Sequence, residues 1–168
     1  WETLPTILQD EYVYSTGSKY GGMDAASEYG NFLYYWLYQS TVLCGPEFYS
    51  CARVLNGIWF FALLISIFAF ARHYFSPGWS FAIAVAVGVG PMGLYVGLYM
   101  PEMMYFALSS ARLLFYVRYL VSETGDRRNL GLSFGILALA AMTKPHASFI
   151  AIGLLIHLFV LLVFRRGV

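Results

Sequence analysis

The residues of this chain that could do chemistry are few, and they stand at the ends of apolar segments. Asp10 and Glu11 form an acidic pair, Glu102 opens one apolar segment, Arg53 heads another and Lys144 closes a third. The cations could bind phosphate oxygens, while a carboxylate could accept a proton from an incoming hydroxyl or amine. This combination would suit a phosphate-bearing, lipid-embedded substrate. The alternative is that these residues are ordinary interfacial anchors.

The neighbours of these residues are further candidates. His146 follows Lys144 by two positions and could contact a phosphate, although an interfacial histidine is more often only solvated. Glu11 stands next to Asp10 in an expected loop, where adjacent side chains rarely point the same way, so its role would be hydrogen bonding or none. Two cysteines and three scattered histidines lack metal-ligand spacing, and we expect neither a metal nor a cofactor.

The elements that position these residues follow from the composition. The 168 residues are 60% hydrophobic and 11% charged, whereas an ordinary soluble domain is roughly 45–50% apolar and about 25% charged. Soluble globular and disordered proteins are therefore excluded. The formal net charge of +1 gives no bulk attraction to nucleic acid, which is not an expected partner. The composition predicts an all-α polytopic membrane protein.

Five apolar segments are candidates to cross the membrane, since a crossing needs about 20 mostly apolar residues. We predict transmembrane helices over residues 54–74, 79–99, 103–121, 129–143 and 147–164, within a bundle that covers 46–168. The aromatic run at 32–38 suits the bilayer interface, where Tyr and Trp rings have one dry and one wet end. Residues 1–45 are therefore expected to be an extracytoplasmic loop with interfacial helices.

The charges between the spans predict the orientation. Arginines gather in one set of connections, at residues 72, 118, 127, 128, 165 and 166, while the acidic residues of the N-terminal region and Glu102 fall on the other side. The positive-inside rule makes the arginine side cytoplasmic. Asp10, Glu102 and Lys144 would then share the extracytoplasmic or luminal face.

Three residues leave alternatives open. Cys44 and Cys51 could form a disulfide only if Cys44 precedes the helix, because helical residues seven apart lie about 10 Å apart; otherwise they are two unremarkable thiols. Arg112 lies within an apolar segment, where a charge is a functional candidate by default. Snorkelling, or a structural contact with a helix outside this sequence, is the alternative for Arg112.

The order of the motifs is itself informative. An Asp-Glu pair precedes an aromatic stretch, a glycine, an arginine heading a span, a proline in the next span, an acidic residue and a Gly-rich helix ending in Thr-Lys. Here these are Asp10-Glu11-Tyr12, residues 33–37, Gly45, Arg53, Pro91, Glu102, Gly131 with Gly135, and Thr143-Lys144. The pattern resembles membrane glycosyltransferases of the C-type fold, in the branch containing dolichyl-phosphate-mannose protein mannosyltransferases and the bacterial aminoarabinose transferases of lipid A.

The sequence departs from this family in places. Relatives often carry Lys-Pro-Pro where this chain has Tyr29-Gly30-Asn31, and many have Asp where this chain has Glu102. The span expected before Asp10, the later spans and a C-terminal soluble domain are absent. We therefore expect the chain to be the N-terminal part of such a fold, a fragment of a longer protein that would be inactive alone.

The resemblance implies an inverting transfer of a sugar from a polyprenyl-phosphate donor to an acceptor glycan, lipid or protein. Asp10 would be the general base and Glu102 would orient the acceptor or tune Asp10, with Arg53 and Lys144 on the carrier phosphate. Glu11 and His146 would assist binding. The enzyme would lie among membrane lipids, in a bacterial or archaeal cell membrane or the endoplasmic reticulum membrane. A non-catalytic subunit of a membrane complex and a transporter fragment are the competing hypotheses.

Overall fold

The computed structural model describes residues 9–21, 30–122 and 126–165, with the side chains of 9–11, 161, 162, 164 and 165 left out. Over these residues all the regular secondary structure is helical, without strands, which confirms the all-α prediction. Seven α-helices follow one another within the described ranges: α1 Gln9–Thr16, α2 Phe32–Tyr38, α3 Phe48–Ala71, α4 Pro77–Val89, α5 Glu102–Val121, α6 Arg127–Thr143 and α7 Ala147–Arg165. A π-helical turn, Gly17–Gly21, and two 3₁₀ segments, Gln39–Glu47 and Pro91–Val96, complete them.

Local sequence signals explain most helix boundaries. Pro77 occupies the first turn of α4, where its missing N–H removes no helical hydrogen bond. Asp126 caps α6, because its side chain accepts a 3.0 Å hydrogen bond from the backbone N–H of Arg128. Gly45 adopts a φ of +59°, which favours glycine, and this turn separates the 3₁₀ segment from α3. The helices α5, α6 and α7 closely match the segments predicted at 103–121, 129–143 and 147–164.

The helix predicted over 79–99 is shorter in the structure, because α4 ends at Val89. Gly90 is extended and Pro91 has no N–H to continue the ladder, so the chain leaves the helix there. A Cβ on Gly93 would lie 2.6 Å from the carbonyl oxygen of Gly88, so only glycine lets the chain fold back this closely. The result is an irregular connection that reaches α5 without a full second span.

The core forms around α5, which packs extensively against α3 on one side and α6 on the other. The helix α4 packs on α3, while α7 makes fewer contacts, mainly with α6. The buried core includes side chains of α2, α3, α5 and α6, among them Tyr34, Ala52, Met104 and Leu137. The central position of α5 brings its first residue, Glu102, to the end of the bundle where α3 begins.

One helical run in the described ranges is long and apolar enough to cross a bilayer, by length and composition, and it covers Phe32–Ala71. Large apolar side chains are exposed on several helices, including Phe61 on α3, Phe81 on α4 and Phe159 on α7. The structure thus indicates a membrane association, because exposed apolar surface of this extent is unfavourable in water. The other predicted crossings stay a prediction.

Candidate functional site

The central feature of the candidate site is an ion pair between Glu102 and Lys144. Lys144 Nζ lies 2.5 Å from Glu102 Oε1, and the two side chains are 21% and 13% exposed, respectively for lysine and glutamate. Glu102 is the first residue of α5, and Lys144 directly follows α6. Because α5 and α6 form an antiparallel pair, residues 42 positions apart meet at one end. Two predicted site residues are therefore in contact.

The ion pair leaves polar capacity unused. Glu102 Oε2 is buried and has no hydrogen-bond partner among the described residues. A lysine ammonium carries three donors, and Glu102 engages one of those of Lys144. The hydroxyl of Tyr34 is likewise buried without a described partner. Such groups usually mark a place where a ligand or water supplies the missing hydrogen bonds.

A cluster of tyrosines, which we call the tyrosine cluster, lies at this end of the bundle, and its member Tyr99 stands three residues before Glu102. Its members are Tyr14, Tyr34, Tyr35, Tyr38 and Tyr99, joined by ring contacts with centroids 4.2–6.2 Å apart. Burial raises the pKa of the Tyr99 phenol, and its hydrogen bond with Thr41 only partly opposes this effect. Tyr99 therefore stays a neutral hydroxyl at physiological pH. The cluster makes a wall of rigid rings with polar tips.

Asn56 connects the tyrosine cluster to α3. The sequence analysis does not predict this role. The Asn56 side chain is fully buried in α3, accepts a hydrogen bond from Tyr38 Oη and donates one of 2.5 Å to the carbonyl oxygen of Leu98. It thereby joins α2 and the connection before α5 to α3. A lone amide within an otherwise apolar helix is the signal that would have pointed to it.

The predicted general base lies on α1, at the same end of the bundle. The ring of Tyr14 in α1 is 5.6 Å from that of Tyr34, and Tyr49 Oη donates a 3.0 Å hydrogen bond to Ser15 Oγ. The backbone of Asp10 and Glu11 is helical, not the expected loop, while their side chains lie outside the described residues.

Arg53 and His146 are both exposed. Arg53 lies on α3 next to the buried Ala52, and no described residue forms an ion pair with it. His146 lies in the turn between α6 and α7, two residues beyond Lys144. The structure thus brings together Glu102 and Lys144, and His146 lies nearby in sequence. It shows no contact from the Glu102 carboxylate or the Lys144 ammonium to Arg53.

The structure adds a cation that sequence reasoning passed over. Lys19 stands beside a hollow of about 150 Å³ against α1, with its Nζ 4.7 Å from the centre of the Phe48 ring. Tyr12, Ser15 and Tyr49 also line this hollow. The signal for Lys19 in the sequence is its position directly after Gly17 and Ser18. This signal is weak, because a functional lysine in a turn at an interface is poorly distinguished from a solvated one.

The two cysteines form a disulfide, which decides between the alternatives left open by the sequence. Cys44 lies in the 3₁₀ segment and Cys51 in the first turn of α3, and their Cα atoms are 6.6 Å apart. The turn at Gly45 and Pro46 shortens the roughly 10 Å that seven helical positions would span. A disulfide at this end of the bundle fits an oxidising compartment.

Among the described residues, no group of three or more His, Cys, Asp or Glu side chains is placed to hold a metal ion. Comparison with known proteins found no matching family, no similar curated protein and no similar solved structure. The function is therefore argued from the chemistry of the site.

Proposed function

We propose that this protein is an integral membrane glycosyltransferase that moves a sugar from a polyprenyl-phosphate donor to an acceptor, with inversion, at the extracytoplasmic face. The observation that carries the proposal is the Glu102–Lys144 ion pair, at the end of the bundle where α1 packs on the tyrosine cluster. A partly shielded ammonium, a carboxylate with an unused oxygen and an acidic helix meet at one end of a strongly apolar bundle. This is the set of groups that transfer from a lipid phosphate requires.

In this proposal the chain is polytopic, and its crossings are α3, α4 together with the irregular connection that follows it, α5, α6 and α7. Arg72 directly follows α3 and Arg127 begins α6, at the end of the bundle opposite the Glu102–Lys144 pair. The positive-inside rule makes that arginine end cytoplasmic. The tyrosine cluster then lies at the outer interface, where the polar tips of the rings meet headgroups. The fold would be the N-terminal part of a C-type glycosyltransferase.

In the proposed reaction, Lys144 would act on the leaving phosphate, and the carboxylates of Asp10 and Glu102 would act on the acceptor. The acceptor oxygen or nitrogen forms a bond to the anomeric carbon from the face opposite the phosphate. The bond between that carbon and the phosphate oxygen breaks, and its electron pair leaves with the phosphate, where Lys144 offsets the growing charge. The acceptor proton passes to the Asp10 carboxylate. Glu102 would hold Lys144 in place and orient the acceptor through its second oxygen.

The remaining candidates would act on the carrier. Arg53, Lys19 and His146 are exposed at this end and would bind oxygens of the phosphate or of the surrounding lipid headgroups. Glu11 would contribute a hydrogen bond to the acceptor. No cofactor is required for such a transfer, since the energy is stored in the sugar–phosphate bond.

The first test is Asp10→Asn in the full-length protein, assayed for consumption of a polyprenyl-phosphate sugar in membranes. Loss of the general base should lower the transfer rate by about 10²- to 10⁴-fold. The matched control is Glu47→Gln, which makes the same change of charge at an exposed residue that accepts a hydrogen bond from Ser50. Glu47→Gln should keep the rate of the wild-type protein.

Two results would favour the competing functions. If Asp10→Asn leaves sugar transfer intact while assembly of a complex fails, the protein is a non-catalytic subunit. If the protein moves a solute across vesicles without consuming a lipid-linked sugar, it is a transporter. Transporters usually place their ionisable groups near the midplane of the membrane, whereas the ion pair here lies at one end.

A further inference from the structure

A second polar feature lies well away from the ion pair, in a cavity between α5 and α7. The cavity has a volume of about 430 Å³. Its walls are mostly apolar, with Leu120, Ile150 and Leu154 among the lining residues, and its polar lining comes from Arg112, Tyr116 and His157. None of the residues that line it carries a negative charge.

Arg112 is the unusual member of this lining. Its side chain is 92% buried, since only 8% of its surface is exposed, and its Nε and Nη1 atoms have no hydrogen-bond partner among the described residues. Its guanidinium lies 5.9 Å from the centre of the Tyr116 ring, a weak contact that leaves the donors unused. A buried cation without an anionic partner is costly, and a guanidinium is shaped to bind a planar oxyanion.

The rest of the cavity indicates what carries that oxyanion. Tyr116 Oη and His157 Nδ1 are 2.8 Å apart and join α5 to α7 across the cavity, beside its apolar wall. At Gly153, a Cβ would meet nothing within 4 Å, so α7 leaves room there for a chain. The cavity thus has one cation, Arg112, and mostly hydrocarbon walls. This lining fits an amphiphilic anion with a single alkyl chain.

The depth of the site favours a carboxylate head group over a phosphate. Arg112 stands ten residues after Glu102, so it lies about 15 Å along α5 from that end of the helix. One guanidinium balances one negative charge, and the lining holds no other full cation to balance a second. We propose that this cavity binds a single-chain alkyl carboxylate, with the head group on Arg112 and the chain along the groove between α5 and α7. This binding does not depend on sugar transfer.

The experiment is equilibrium binding of radiolabelled dodecanoate to the full-length protein in nonionic detergent, with protein-free micelles subtracted. We expect saturable binding, and dodecanol should compete poorly because it lacks the charge. Arg112→Gln should weaken binding about tenfold or more, as expected for loss of hydrogen bonds to a charged group. Arg118→Gln is the matched control, since Arg118 is exposed on the same helix, and should leave binding unchanged.

A second variant keeps the proposal testable if Arg112→Gln does not fold. Gly153→Leu retains Arg112 but places a side chain in the cavity, so it should also weaken dodecanoate binding. Gly135→Leu on α6 adds the same side chain in open space away from the cavity and should not. The proposal is overturned if the wild-type protein binds no dodecanoate, or if neither Arg112→Gln nor Gly153→Leu weakens binding. It is also overturned if dodecanol competes as well as dodecanoate, or if dodecyl phosphate binds more tightly than dodecanoate.

Discussion

At the scale of single residues, the Glu102–Lys144 pair carries most of the chemistry assigned to this protein. The two side chains are partly buried, so their attraction is stronger than that of a surface ion pair, yet each would be left with an uncompensated charge if its partner were removed. Stability and function are therefore coupled at this site, and any substitution has to separate them.

A double-mutant cycle makes that separation. Lys144→Gln and Glu102→Gln should each lower the free energy of unfolding by about 1–3 kcal/mol, because each leaves one charged group without its partner. The double variant should lose less than the sum, since two neutral amides can hydrogen-bond. The measurement is thermal unfolding of the purified protein in detergent. Additive losses would contradict a direct interaction between the two side chains.

The same double variant also tests the role in transfer. If it folds with nearly normal stability and yet transfers no sugar, then the charges serve the reaction and not only the fold. Normal transfer by this variant would contradict the roles proposed for both residues.

At the scale of elements, the site depends on how α2 and the connection before α5 are held on α3. Asn56 performs this task by accepting a hydrogen bond from Tyr38 and donating to the backbone carbonyl oxygens of Tyr95, Val96 and Leu98, all outside its own helix. Its loss would leave the buried Tyr38 hydroxyl without this partner and would remove the side-chain bonds that hold the irregular connection on α3.

Asn56→Ala should therefore lower the free energy of unfolding by about 1–3 kcal/mol, because the buried Tyr38 hydroxyl loses its partner. The comparison is Ser66→Ala in the same helix. Ser66 is also buried, but among the described residues its hydroxyl bonds only to the carbonyl oxygen of Ala62 within α3. Unfolding in detergent should show a clearly larger loss for Asn56→Ala, and equal losses would mean that the bridging bonds contribute little.

At the scale of the whole molecule, the proposed topology places the two ends of the bundle on opposite sides of the membrane. Both native cysteines are used in the disulfide, so single introduced cysteines can report sidedness. Ser148 is exposed beside the Glu102–Lys144 end, and Ser76 is exposed between α3 and α4.

In right-side-out vesicles, a membrane-impermeant maleimide should label Ser148→Cys directly and Ser76→Cys only after permeabilisation. Inverted vesicles should give the reverse. Labelling of both positions from one side would contradict the proposed crossings, whatever the catalytic outcome. This readout is independent of activity, so it separates an error in topology from an error in the proposed reaction.

Much of the helical pattern could be predicted from the sequence because its causes are local or compositional. The apolar segments, the proline at the start of α4 and the capping Asp126 act within a few residues, so helices at 103–121, 129–143 and 147–164 were predicted closely. The helix predicted over 79–99 is too long, because the apolar pattern continues past the interruption at Gly90-Pro91, where the helix ends. The sequence leaves the Cys44–Cys51 disulfide undecided, because its formation depends on the backbone conformation of Gly45.

The amino-acid sequence by itself determined that this is an all-helical chain too apolar for an ordinary soluble domain, with ionisable groups concentrated at segment ends. It could do so because composition and periodicity do not depend on which residues are neighbours in the folded structure. Only the tertiary structure decided which of those groups meet. The contact of Glu102 with Lys144, the anchoring of Tyr38 by Asn56 and the isolation of Arg112 in a cavity each depend on helix packing between residues far apart in the chain, and no local pattern encodes such distances.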